Sequence, residues 1–301
     1  MKIGYPCINL TLPCRAGHTF RLKSYSEERL VDTVTRNLSC LRRILSYNAE
    51  HAILFFRITS DLVPFASHPL CTCRWQERFA SEFEEIGEFI RDHDMRISMH
   101  PDQFVVLNSP REEVVGRSER ELAYHAEVLD LMGLDRGAKI QIHIGGVYGD
   151  RILAMGRFIS RYARIDEAVQ CRLVIENDDR LYAVADCLAV HEETGIPVIF
   201  DTLHHFWNTS GERIKDAVER CGATWTANDG IQMVDYSSPD PGGRPGKHAQ
   251  SIDIADFSAF VAETAPLDFD VMLEIKDKEH SALKAIDAVG GDPRFIGGAF
   301  H

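Results

Sequence analysis

The sequence predicts an α/β fold, a single-domain (β/α)8 TIM barrel over residues 1–301 with a metal cluster at the C-terminal face of its strands. Eight apolar segments alternate with amphipathic stretches, and six of these segments end on a metal-binding side chain. The spacing between successive endings is close to the roughly 30 residues that one strand and one helix occupy. Because barrel active sites lie at the carboxyl ends of strands, we expect these six side chains to form a ring. They are His100, His143, Glu176, Asp201, Asp235 and Glu274.

Each element follows from the period of its apolar residues. In chain order the predicted strands are Lys2–Cys7, His51–Thr59, Arg96–His100, Lys139–His143, Arg172–Glu176, Pro197–Asp201, Gln232–Tyr236 and Phe269–Glu274. The clearest predicted helices are Glu27–Ser46, Gln76–His93, Ser118–Leu131, Leu181–Thr194 and Ala255–Val261. Three glycines stand where helices should end in left-handed caps, Gly133, Gly195 and Gly222. Long loops should follow strands one, two and seven, at Ile8–Ser26, Ser60–Arg74 and Ser237–Ser251.

Composition restricts the class of protein. The start of the chain has no signal sequence, and no apolar run approaches the roughly 20 residues of a spanning helix, so we expect a cytoplasmic protein that does not bind membranes. The eight cysteines are therefore expected to be reduced. A net charge of −13 argues against bulk electrostatic coating of nucleic acid. It does not exclude DNA, because a ring of acids filled with cations is locally neutral or positive.

The six strand ends favour metal ions. Four carboxylates close together are tolerable only with protons, basic partners or metals, and no Lys or Arg stands at these six ends. His204 and His248 are further candidate ligands, whereas His205 should point elsewhere. Mixed nitrogen and oxygen ligands suit Zn²⁺, Mn²⁺ or Fe²⁺ better than Ca²⁺, and their number indicates more than one ion.

Three kinds of activity are compatible with such a centre. Clustered divalent ions activate water and clamp the oxygens of a phosphodiester, so phosphodiester hydrolysis leads. A sugar isomerase or epimerase on the same barrel is the enzymatic rival, but it needs a Lys to polarise a carbonyl, and none stands at a strand end. The third alternative is a catalytically silent barrel that binds damaged DNA.

Motifs spread from Gly4 to Gly298 resemble the UV damage endonuclease family. In order they are Gly4-Tyr5-Pro-Cys-Ile-Asn9, Arg57-Ile-Thr-Ser-Asp61, Ser67-His68-Pro69, Ser98-Met-His100-Pro-Asp-Gln103-Phe104, Ile142-His143-Ile-Gly-Gly146, Glu176-Asn-Asp-Asp179, Asp201-Thr-Leu-His204-His205, Ser237-Ser238, His248 and Glu274-Ile-Lys276-Asp-Lys278. The resemblance implies a barrel similar to endonuclease IV. It also implies an enzyme that nicks double-stranded DNA immediately 5′ to cyclobutane pyrimidine dimers and 6-4 photoproducts, leaving 3′-hydroxyl and 5′-phosphate ends.

The resemblance further implies two to three ions, usually Mn²⁺, with Zn²⁺ or another divalent metal as alternatives. We expect no organic cofactor and a monomer. One ion would lie on His100, His143 and Glu176; a second on Glu176, Asp201, Asp235 and Glu274; a third on His204 and His248. Glu176, His68 and Tyr5 would be catalytic, with Tyr5, Asn9 and His68 along the scissile phosphate and Gln103 and Phe104 probing the lesion.

Three positions depart from the family pattern. Phe104 stands where many members have Tyr, so stacking is retained without the phenolic hydroxyl. Asp235 stands where others have His, and Met233 where others have Lys, sometimes carboxylated. Asp235 can still bind a metal, but Met233 supplies no anionic group.

Overall fold

Eight parallel strands form a closed barrel in which each strand pairs with the next along the chain and β8 pairs with β1. The computed structural model describes residues 1–238, 240 and 246–297. The strands are β1 (Ile3–Pro6), β2 (Phe55–Ile58), β3 (Arg96–Met99), β4 (Lys139–His143), β5 (Leu173–Glu176), β6 (Val198–Asp201), β7 (Met233–Tyr236) and β8 (Asp270–Leu273). The predicted TIM barrel is therefore confirmed, and every predicted strand is present, most of them shortened by one or more residues.

The helices surround the barrel. They are α1 (Glu27–Glu50), α2 (Trp75–Arg78), α3 (Ala80–Asp92), α4 (Glu112–Leu131), α5 (Arg151–Tyr162), α6 (Glu167–Gln170), α7 (Val184–Thr194), α8 (Thr202–Trp207), α9 (Ile214–Gly222), α10 (Ile254–Glu263) and α11 (Glu279–Val289). Short 3-10 turns occur at Leu22–Ser24 and Ser60–Leu62. The helix predicted over Gln76–His93 is divided at Phe79 into α2 and α3.

Two of the three predicted glycine caps are confirmed. Gly133 and Gly195 have φ of +60° and +71°, which only glycine adopts at little cost. The third prediction is wrong, because Gly222 is the last residue of α9 and Ala223 caps that helix in a right-handed conformation. A Cβ at position 222 would lie 2.7 Å from the Gln232 side-chain oxygen, so this glycine provides room for a neighbouring side chain.

The barrel interior consists of an apolar layer beneath a polar layer. The apolar layer contains Phe55, Val174, Ile199, Met233 and Met272, all fully buried. Strand side chains alternate between the two faces, so the residues two positions later also face inward, one layer nearer the carboxyl ends. Those residues are Arg57, Glu176, Asp201, Asp235 and Glu274. The same period that builds the core therefore places the polar groups at the rim.

One expectation about the cysteines is wrong. Cys14, in the loop after β1, forms a disulfide with Cys40 of α1, across a Cα–Cα distance of 5.9 Å. The two cysteines are 26 residues apart and carry no recognisable spacing, so only the folded loop brings them together. The remaining six cysteines are free.

Two further sequence predictions concern the surface. The loop predicted over Ser237–Ser251 includes residues 239 and 241–245, which lie outside the described residues. Within the described part of the chain, no helix combines the length and apolar character needed to cross a membrane.

Candidate metal centre

Two histidines and one glutamate form the first group of candidate ligands. His100 follows β3, and His143 and Glu176 end the adjacent strands β4 and β5. Glu176 Oε1 lies 2.9 Å from His100 Nε2 and 2.8 Å from His143 Nε2. His100 Nδ1 donates to the Pro101 carbonyl oxygen, so its Nε2 carries the lone pair unless a second proton is bound. A cation or a proton must then lie between this nitrogen and Glu176.

The charge of this group is concentrated on Glu176, which is buried. Burial alone would raise the pKa of this carboxyl, but His143 and His100 hold it well below its ordinary value. Burial likewise lowers the pKa of His143, yet Glu176 raises it above its usual range. Both shifts have the same cause, the attraction between the Glu176 carboxylate and the neighbouring imidazoles.

Asp201 and His204 lie beside the first group at the end of β6. Asp201 caps α8, since its Oδ1 accepts from the His204 amide at 2.7 Å. Its Oδ2 is buried and has no hydrogen-bond partner among the described residues. His204 Nδ1 donates to the Asn177 carbonyl oxygen at 2.9 Å, which fixes the ring. An unpartnered carboxylate oxygen in a closed site is the feature that a cation would satisfy.

The pKa values of Asp201 and His204 also indicate that bound positive charge is favoured at this point. Burial raises the pKa of Asp201 to about 7, despite the opposing effect of His204. Burial lowers the pKa of His204, but Asp201 and Glu176 raise it to about 9. Ligand atoms of Glu176, Asp201 and His204 lie within 4.8 Å of one another, as do those of His100, His143 and Glu176. Glu176 is common to both groups.

A third group consists of Asp201, Asp235 and Glu274, again with ligand atoms within 4.8 Å. His248 lies next to it, with Nε2 at 3.6 Å from Glu274 Oε2. Asp235 and Glu274 contact the guanidinium of Arg57, which enters the barrel from β2. Burial raises the pKa of Glu274, but Arg57 lowers it to about 2. Lys and Arg are absent from the six strand ends that carry the candidate ligands. The basic partner comes instead from β2, and the sequence did not indicate it.

A cavity of about 550 Å³ opens above these groups. It is lined by the four imidazoles and by Gln103, the first of the two predicted probe residues. Glu176, Asp201 and Asp235 are buried beneath it. The four imidazoles are those of His100, His143, His204 and His248. The imidazole nitrogens thus face an accessible space above the buried carboxylates, and this mixed donor set fits Mn²⁺ or Zn²⁺.

Phe104 and His68 line a second cavity, of about 730 Å³. Phe104 is 55% exposed, as expected for a residue just past a strand end. Three arginines of the loop before α4 and of α4 itself line the same cavity: Arg111, Arg117 and Arg120. The two cavities share Asp102, Val106 and Tyr148, so they form one continuous surface.

Tyr5 and Asn9 are not brought to this surface. Tyr5 is 0% exposed, and its hydroxyl donates to Asn48 Oδ1 at 2.7 Å and accepts from Asn9 Nδ2 at 2.9 Å. Asn9 Oδ1 accepts from the amides of Thr11 and Leu12. These contacts shape the loop after β1, and neither side chain presents a free polar atom to a phosphate.

Comparison with known proteins identifies the family. Residues 1–291 match the family described as UV-endonuclease UvdE. The chain belongs to this family. A UV DNA damage endonuclease of Clostridium perfringens is 38% identical over 291 residues, covering 96% of this chain and 71% of the relative. One from Bacillus velezensis is 33% identical over 290 residues, covering 94% and 90%. The crystal structure of SacUVDE is 45% identical, with a TM-score of 0.94 and coverage of 98% and 100%.

More distant structures share only the fold with this UvdE-family chain. Endonuclease IV of Thermus thermophilus is 14% identical with a TM-score of 0.56, covering 83% of this chain and 93% of that one. D-psicose 3-epimerase of Clostridium cellulolyticum is 13% identical with a TM-score of 0.52, covering 83% and 86%. Because nucleases and epimerases share this barrel, the fold alone does not choose between them.

Two residues that sequence reasoning gave no role complete the site. Arg57 donates to Asp235 and Glu274, and Gln141 donates to Glu176 and Asp235. The sequence did indicate that both side chains face the barrel interior, since each residue stands two positions from another inward-facing residue of its strand. That signal shows which way the side chain points, but not which carboxylate it meets across the barrel.

Proposed function

We propose that this chain is a metal-dependent DNA endonuclease that hydrolyses the phosphodiester immediately 5′ to UV photoproducts. Cyclobutane pyrimidine dimers and 6-4 photoproducts would be its lesions, and the products would carry 3′-hydroxyl and 5′-phosphate ends. The observation that carries the proposal is Glu176, whose carboxylate belongs to two adjacent sets of ligand atoms beneath an open cavity. Membership of the UV-endonuclease family supports the choice of DNA as substrate.

The proposed ligands are seven of the eight predicted residues: His100, His143, Glu176, Asp201, His204, His248 and Glu274. Mn²⁺ is the metal we propose, because hard and borderline donors are mixed. Bound ions would lower the pKa of water and neutralise charge on the scissile phosphodiester. The protein contributes fixed ligand geometry: Nδ1 of His100 and of His204 each donates to a backbone carbonyl, so both rings are oriented before a metal binds.

The continuous surface formed by the two cavities suits recognition of a distorted duplex. Phe104 is an exposed aromatic side chain that can stack where a poorly stacked lesion leaves a gap, with Gln103 beside it. Arg111, Arg117 and Arg120 offer positive charge to flanking phosphates despite the negative net charge. We propose that the half-buried His68 contacts the scissile phosphate and that Tyr5 supports Asn9 and the loop after β1 without touching DNA.

A nicking assay tests this function. Irradiated and untreated supercoiled plasmids are incubated with the purified chain, with Mn²⁺ and with chelator. We expect nicking only of irradiated plasmid and only with metal. A 5′-labelled duplex with one defined dimer then locates the cut. No nicking despite bound metal would favour a silent DNA-binding barrel or an epimerase, and equal nicking of both plasmids would contradict lesion specificity.

A further inference from the structure

A buried guanidinium occupies the floor of the candidate metal centre. Arg57 is only 3% exposed and lies one layer above Phe55 on β2. Its Nη2 donates to both carboxylate oxygens of Asp235 at 2.9 Å and to Gln141 Oε1 at 2.8 Å. Its Nη1 donates to Glu274 Oε1. One side chain therefore connects strands β2, β4, β7 and β8 beneath the cavity.

Asp235 differs from the other carboxylates in how its oxygens are used. Both of its oxygens accept from Arg57, and Oδ2 also accepts from Gln141 Nε2. By contrast, Asp201 Oδ2 is buried without a hydrogen-bond partner among the described residues, with His204 Nδ1 3.7 Å away. Asp235 is fully buried, whereas the candidate imidazoles line the cavity. An ion at Asp235 would have to compete with a cation that is already in place.

Arg57 has no means of leaving. A guanidinium does not lose its proton in a protein, and this one is enclosed within the barrel. Moving it away from Asp235 would leave two opposite charges separated in a closed interior, which is strongly unfavourable. Asp235 therefore keeps its partner whether or not ions are bound above it.

From this geometry we infer that Asp235 is the counter-ion of Arg57 and a positioning residue, not a metal ligand. The inference rests on the proposed function, because it concerns the same centre. Asp235 and Glu274 share the guanidinium of Arg57, which lies between their carboxylates. Glu274 uses only Oε1 for this contact, and its Oε2 faces His248.

The pair also sets the orientation of Gln141. Because Gln141 Oε1 accepts from Arg57, its Nε2 must face the carboxylates, where it donates to Glu176 Oε2 at 2.6 Å. This leaves Glu176 Oε1 toward His100 and His143. Arg57 and Asp235 thus act on the bridging carboxylate through one amide.

Metal counting tests the inference. The full chain is titrated with Mn²⁺, and bound ions per chain are measured by equilibrium dialysis and elemental analysis. Asp235→Asn should bind as many ions at saturation as the parent. Its dissociation constant should rise by more than about threefold but no more than about tenfold, the equivalent of one modest contact, because Arg57 then pairs with Glu274 alone. A merely structural role would change thermal stability without changing the affinity for Mn²⁺.

Two variants complete the test. Asp201→Asn is the matched control, and it should lose an ion or weaken binding by more than about 100-fold. Arg57→Gln/Asp235→Asn removes both charges together but keeps an NH₂ donor at position 57 for Gln141 Oε1. Glu274 is then no longer drawn to a guanidinium, and affinity should return to within about threefold of the parent. If Asp235→Asn fails to fold, the ion count of the double variant decides.

The outcomes are distinct. One ion fewer in Asp235→Asn, or in the double variant, would overturn the inference and make Asp235 a ligand. Failure of the double variant to recover affinity would overturn the positioning role. No Mn²⁺ bound by the parent would instead overturn the proposed function, and this inference with it.

Discussion

Replacing Glu176 with Gln is the sharpest test of the centre. The carboxylate contacts three side chains: Oε1 lies 2.9 Å from His100 Nε2 and 2.8 Å from His143 Nε2, and Oε2 accepts from Gln141. An amide of the same shape has one acceptor oxygen and one NH₂ group. Turned one way, the NH₂ group meets the Gln141 Nε2 donor; turned the other way, it faces the imidazole nitrogens and cannot bind a cation there. The variant therefore loses the anionic charge and one acceptor at the same time.

The expected effects on activity and stability differ in size. Loss of the group common to both ligand sets should reduce the nicking rate by about 10²-fold or more, the scale on which removal of one key electrostatic group acts. Loss of the anion and of one acceptor in a buried site should reduce the free energy of unfolding by about 1–3 kcal/mol. For a domain of this size, that is a fall in Tm of a few degrees. The fold should persist.

The assay combines plasmid nicking, metal content and thermal denaturation on the same preparations. Glu85→Gln is the control, since Glu85 pairs with Arg42 on the exposed surface and the chemical change is identical. It should behave as the parent in all three measurements. The reasoning would be refuted if Glu176→Gln kept its full metal content and nicked irradiated plasmid at the parent rate.

Three further predictions follow from the contacts around the centre. Replacing both Gln103 and Phe104 with Ala should leave metal content unchanged and weaken binding of lesion DNA by about 1–3 kcal/mol, measured against undamaged duplex; a parallel loss for both duplexes would contradict the probe role. Met233→Leu should cost under about 1.5 kcal/mol in thermal denaturation and leave nicking unchanged, because it conserves volume in the apolar layer. Tyr5→Phe removes the donor to buried Asn48, so it should reduce the free energy of unfolding by about 1–3 kcal/mol. The folded variant should nick DNA at the parent rate, whereas a slower rate would indicate that Tyr5 is catalytic.

Much of the fold and the candidate ligand ring could be read from local sequence pattern. A strand alternates its side chains with a period of two. An apolar run that ends on His, Asp or Glu therefore predicts a strand with that polar side chain at its carboxyl end. Repetition of that ending near the length of a strand and a helix implied the barrel. Glu176 could be placed beside His143 in this way, because adjacent strands bring their ends together.

The exposure of Phe104, the proposed probe residue, could be predicted for a similar reason. Phe104 follows a strand end and a proline, where the chain leaves the sheet. Local pattern was less informative for Gly222, whose small size serves the Gln232 side chain and not a cap. The nearest contact at position 222 comes from Gln232, ten residues later and just before β7, so it depends on how the turn between α9 and β7 folds back.

Only the tertiary structure decided the contacts across the barrel. Arg57 meets Asp235 and Glu274 because closure of the sheet leaves β2 separated from β8 by β1 alone, and because a guanidinium is long enough to span the interior. The Cys14–Cys40 disulfide likewise depends on the path of a loop. The period of two predicts which face of a strand a residue occupies. Its partner across the barrel interior is determined by barrel closure, side-chain length and the exclusion of water. None of these is local in sequence.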